Sequence, residues 1–101
     1  MGEYAILVDR RVVPCDLMQW ATWRETHDVT VSKTQLLGCF VSTVFLGLNH
    51  GFDGKPLWFE TMVFPDKSMS ELYCDRYETY EEALAGHRRV VEMYRRGDGP
   101  E

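Results

Sequence analysis

Two runs decide the fold: Cys39-Phe40-Val41-Ser42-Thr43-Val44-Phe45-Leu46-Gly47-Leu48 and Leu57-Trp58-Phe59-Glu60-Thr61-Met62-Val63-Phe64. Both are dense in β-branched and aromatic residues, whose stiff side chains suit a pleated surface. Between them, Asn49-His50-Gly51-Phe52-Asp53-Gly54-Lys55-Pro56 is turn chemistry, and Pro65 closes the second run. The pattern predicts an antiparallel hairpin at the centre of a sheet.

Outward from the hairpin, Tyr4–Val8, a polar Asp9-Arg10-Arg11 and Val12-Val13 predict a small N-terminal hairpin, or one bent strand, ending at Pro14. Asp16 and Gln19 form a capping pair for a helix over Asp16–His27, expected to bury Leu17, Trp20 and Ala21. Asp28–Thr34 alternates like a short edge strand. Asp66–Tyr77, polar and without a clear period, reads as a loop. Thr79 and Glu82 form a second capping box, opening a helix to about Arg96 that ends at Gly97. Its apolar face holds Ala83, His87, Val90, Val91 and Tyr94. The expected order is β(β)-α-(β)-β-β-α. It is an α+β fold, an antiparallel sheet of four to five strands packed by two helices. Residues 1–97 form one domain and 98–101 a frayed tail.

The 101 residues fit one domain, and the composition (45% apolar, 13% aromatic, 27% charged) is that of a globular chain with no room for a large cofactor. None is expected. A net charge of -5 argues against general nucleic-acid binding, which needs a cationic surplus. Complementary potential speeds encounter between proteins, so an acidic chain can compete for basic surfaces. Cys15, Cys39 and Cys74 are odd in number and widely spaced, unlike a disulfide scaffold or a structural zinc site. The start has no basic region followed by a long apolar run, and Phe40–Leu48 is too short to span a bilayer. A reduced, cytoplasmic protein is expected, away from membranes.

Val41-Ser42-Thr43-Val44-Phe45-Leu46-Gly47-Leu48-Asn49-His50, Phe59-Glu60-Thr61-Met62-Val63-Phe64 and the stretch from Arg76-Tyr77 to Gly86-His87 carry a resemblance. Over about its C-terminal half, the chain resembles short uncharacterised proteins of bacteriophages and bacterial genomes with the pattern VSTVFLGL-x-H, FETMVF, RY-x-T-x-x-EA-x-x-GH. Asn49 stands where that pattern is associated with Asp. The resemblance implies no catalytic residues. It implies a phage or prophage accessory protein, a class that includes inhibitors of host defence and modifiers of host enzymes.

If Leu48 lies opposite Phe59, strand alternation puts Val44, Leu46 and Leu48 with Phe59, Thr61 and Val63 on a helix-covered face. The other face then carries Thr43, Phe45, Gly47 and Asn49 beside Trp58, Glu60, Met62 and Phe64. A one-residue slip is disfavoured because it sets Glu60 among Val44 and Leu46. Should this second face be covered, Glu60 needs a buried partner, Arg76 or His87. Left bare, its Trp, Phe and Met are the composition of an interface core. The expected binding residues are Phe45, Asn49, His50, Asp53, Trp58, Glu60, Met62 and Phe64, and the partner is a host protein or a second copy. The alternative is a metal-assisted hydrolase or nuclease using His50, Asp53, Glu60 and His87, without any specific ligand spacing. A virion or assembly component is a third reading. Gly47, Gly51 and Gly54 make no phosphate loop, and the arginines at 88, 89, 95 and 96 read as a solvated face.

Overall fold

A computed structural model describes residues 3–51, 54–68 and 70–96. Two antiparallel sheets and two helices make an α+β fold. The elements are β1 (Tyr4–Val8), β2 (Arg11–Cys15), α1 (Leu17–Thr26), β3 (Thr30–Gln35), β4 (Cys39–Phe45), β5 (Phe59–Pro65), β6 (Tyr73–Tyr77) and α2 (Tyr80–Arg95). β1 and β2 form a ribbon, and β3-β4-β5-β6 a four-stranded meander. Among the described residues no helix is long and apolar enough to cross a membrane.

Both capping boxes form as the sequence indicates. The Asp16 carboxylate accepts from the Gln19 amide at 2.8 Å while Gln19 returns a bond to Asp16, and Thr79 and Glu82 do the same for α2. These bonds satisfy amides that the first helical turn leaves free. The helix expected to end at Gly97 runs to Arg95, with Arg96 as its cap; Gly97 and the tail lie outside the described residues. α2 buries Ala83, Gly86, His87, Val90 and Val91 against the sheet, all at the spacing of one helical face.

α1 departs from expectation, burying none of its residues. Leu17 and Met18 are 51% and 72% exposed, so the expected burial of Leu17 is wrong. α1 lies against the ribbon rather than the sheet, with Trp20 beside Tyr4 and only Trp23 reaching Phe45 edge-on. A two-stranded ribbon offers too little surface to cover a helix face.

The segment expected as a loop contains β6, whose Tyr73, Cys74, Asp75, Arg76 and Tyr77 pair with Val63 back to Phe59. Pro14 falls within β2 rather than after it, facing Ala5 on the outer edge where its missing amide hydrogen is harmless.

The central hairpin forms, but three residues out of the expected register. Phe45, not Leu48, lies opposite Phe59, and Val44 lies opposite Glu60. Gly47 is the cause. At φ +72° it turns the chain out of β4, and its carbonyl accepts from the Ala5 amide at 2.9 Å. Asn49 donates to the Glu3 carbonyl and Tyr4 bridges to Leu48, so residues 47–49 serve β1. The indole of Trp20 lies where a side chain at 47 would begin, a second reason for glycine there. His50, donating to the Leu57 carbonyl at 3.0 Å, keeps the expected pairing at the tip alone.

An odd shift exchanges the faces. Cys39, Val41, Thr43 and Phe45 with Phe59, Thr61 and Val63 are the buried side, beneath α2 and the N-terminal elements. Phe40, Ser42 and Val44 with Glu60, Met62 and Phe64 form the reverse side.

Candidate functional site

No helix packs on this reverse face among the described residues: α2 touches the sheet from the side of His87 and Thr43, and α1 sits against β1. β4 and β5 supply its central stripe. Phe40 and Phe64 stand opposite each other with ring centroids 5.4 Å apart, a tilted aromatic pair. Met62 lies between Ser42 and Cys74, and Val44 beside Glu60. All four apolar side chains are half-buried, shielded only by strand neighbours.

Polar groups frame the stripe. On the β3 side the Lys33 ammonium sits 4.7 Å from the Phe40 ring centroid, and the Gln35 amide donates to Asp66 at 2.8 Å. On the β6 side Arg76 Nε donates to the Glu60 carboxylate at 2.9 Å, and the Cys74 thiol donates to the same oxygen at 3.5 Å. Glu60 is 7% exposed, so Arg76 supplies the partner that a buried carboxylate requires. Burial first, then the Glu60 charge, pushes the Cys74 thiol up to about 11. At neutral pH it is a hydrogen-bond donor rather than a nucleophile.

Of the expected binding residues, Glu60, Met62 and Phe64 share this face. Phe45 does not: it is 1% exposed on the opposite side, against Trp23 and Phe59. Asn49 serves structure, its side-chain oxygen accepting from the Gly51 and Leu57 amides and its nitrogen donating to Glu3. His50 is half-buried at the hairpin tip, beyond the strand that carries Met62. Trp58 is 7% exposed in the core cluster of Ala5, Phe59 and Tyr77. Asp53 lies outside the described residues. Phe40, Val44 and Lys33 were absent from the expected set, because the misplaced register turned Phe40 and Val44 inward. The signal that could have found them is Gly47, since a glycine inside a strand pattern marks a bulge or a close approach.

The proposed metal set does not converge. His87 is 4% exposed on the helix side of the sheet, with Nε2 2.8 Å from the Thr34 hydroxyl and Nδ1 2.7 Å from that of Thr43. Glu60 is on the other side, held by Arg76. Among the described residues no three His, Cys, Asp or Glu side chains are placed to hold a metal ion. Burial lowers the His87 pKa, which favours a neutral ring wedged between hydroxyls. Arg89 and Arg96 lie near Asp75 and Glu92, each pair 3.7 Å apart and largely solvated.

No family model matches the chain, and no curated protein or solved structure is significantly similar to it.

Proposed function

We propose that the protein acts by binding another protein through the reverse face of its sheet. The observation that carries this reading is the stripe of Phe40, Val44, Met62 and Phe64 on a sheet side that no helix covers among the described residues. Sheets with one apolar face ordinarily cover it, and an uncovered patch of this composition is that of an interface core.

Four strands about 4.8 Å apart, five to seven residues long at about 3.3 Å each, span roughly 400 Å². A stable complex hides about 800 Å² per partner. The stripe is therefore the centre of a footprint whose rim takes in Lys33, Gln35 and Arg76. A net charge of -5 sets copies of this chain against one another, so the favoured occupant is a different protein. Membership of a phage accessory class, and a role in blocking host defence, specialise this reading and rest on the sequence resemblance.

The test compares wild type with Met62→Arg as baits in host extract, together with the solution mass of each purified protein. A retained protein that is lost with Met62→Arg, while the fold and melting temperature persist, supports the proposal. Equal retention by both baits overturns it. A wild-type dimer that Met62→Arg dissociates would assign the face to a second copy instead.

A further inference from the structure

The outer edge of β2 borders a groove separate from the sheet's reverse face. Asp9 and Arg10 link β1 to β2 with φ of 52° and 68°, the two-residue turn whose twist suits a hairpin. Val8 and Arg11 close that turn, so alternation of the ladder leaves the main-chain groups at Leu7–Val12 and Ala5–Pro14 directed away from the ribbon. On β1 this is visible, because the Ala5 amide reaches outward to Gly47. On β2 the outward groups are the Val12 amide and the carbonyls of Val12 and Pro14. No strand pairs with that edge among the described residues.

A groove of about 520 Å³ is lined by Arg11, Val12 and Pro14 of the ribbon together with Pro56, Trp58 and Tyr80. An unpaired strand beside an aromatic-lined groove suits an added strand, which draws affinity from main-chain bonds and specificity from alternate side-chain pockets. The charges give the strand a polarity. Arg10 and Arg11 line the groove from the ribbon, and neither is within ion-pair distance of a described carboxylate. The Arg10 guanidinium lies 5.0 Å from the Tyr80 ring centroid, projecting from a left-handed position that non-glycine residues seldom take. Glu78 and Glu81 line the same groove.

We propose that this groove binds an extended peptide segment of a partner by strand addition to β2, seating an apolar side chain against Trp58 and Tyr80 and directing an acidic one toward Arg11. Main-chain recognition makes the ligand a polypeptide, and Arg11, without an ion-pair partner among the described residues, favours an acidic side chain on it. The proposal is independent of the sheet-face reading, since no residue is shared between the sites.

The probes are blocked hexapeptides in which glutamate alternates with valine and phenylalanine, their lysine counterparts, and a glutamate peptide N-methylated at its centre. Each is titrated into ¹⁵N-labelled protein. The glutamate peptide should shift the Val12 amide and the Trp58 indole and bind about tenfold more tightly than the lysine peptide, a difference expected for one charge-assisted contact. N-methylation should abolish binding, and Arg11→Glu, an exposed site, should reverse the preference between the charged peptides. Absence of shifts at Val12 and Trp58 at millimolar peptide overturns the proposal, as does equal binding of the two charge types or of the N-methylated form. Shifts confined to Phe40, Met62 and Phe64 also overturn it, and leave the sheet-face reading standing.

Discussion

Thr43→Val should destabilise the protein far more than its near-identical shape suggests. Thr43 is fully buried at the middle of a polar chain running Thr34, His87, Thr43, Thr61. Its hydroxyl is 2.7 Å from His87 Nδ1 and 2.5 Å from the Thr61 hydroxyl, so valine removes two of the three bonds. A lost hydrogen bond costs about 1 kcal/mol net, and a ring nitrogen stranded out of water adds about 1–3 kcal/mol. The extra methyl returns about 1 kcal/mol and leaves no cavity. The net loss is about 2–4 kcal/mol. Urea unfolding measures it as a lower midpoint at unchanged slope. Because Thr43 and His87 share a bond, Thr43→Val with His87→Leu should fall short of the summed single losses by at least about 1 kcal/mol. A Thr43→Val protein within about 0.5 kcal/mol of wild type, or strictly additive variants, would refute the view that this chain fixes α2 on the sheet.

Gly86→Ala should also destabilise, despite a helix preference for alanine of about 1 kcal/mol. The new methyl would begin 2.4 Å from the Tyr77 ring, and overpacking costs about 1–3 kcal/mol, so a raised melting temperature would contradict the packing described. The lowered His87 pKa sets the sign of an acid response. Below the ordinary histidine value of 6.5 the unfolded chain takes up a proton that the folded ring resists, so this contribution is intact above that pH and is lost as pH falls through the folded value. His87→Leu should flatten the stability slope over that range, and an unchanged slope in urea titrations from pH 7 to 5 would count against it. Cys74, although exposed, should alkylate about a hundredfold more slowly at pH 8 than a thiol of pKa 9.0, given its value near 11. Glu60→Gln should quicken it; rapid wild-type labelling followed by mass spectrometry would contradict the assigned environment.

Local chemistry carried most of the fold. The capping boxes at Asp16 and Thr79 need only residues three apart, and both form. The apolar face of α2 was legible because a four-stranded sheet is wide enough to bury it. α1 was misread for the converse reason: its apolar spacing is real, but whether Leu17 is covered depends on what lies alongside, which periodicity does not encode. β6 was missed because Asp75 points to the helix side, toward Arg89, where an apolar residue would have completed the alternation of Tyr73 and Tyr77.

The expected register sets Leu48 opposite Phe59, and the only slip weighed against it, by one residue, is disfavoured because it sets Glu60 among Val44 and Leu46. β6 places Arg76 directly opposite Glu60, and the guanidinium balances the carboxylate charge at 2.9 Å. Glu60 is thus satisfied from its other side where it lies opposite Val44, and Gly47 releases Leu48 and Asn49 to β1. The same shift buries Phe45 and turns Phe40 outward beside Phe64. The half-buried stripe therefore depends on the register of β4: Met62 and Phe64 are legible from β5 alone, whereas Phe40 and Val44 follow only once Gly47 is read as the point where the chain leaves the strand.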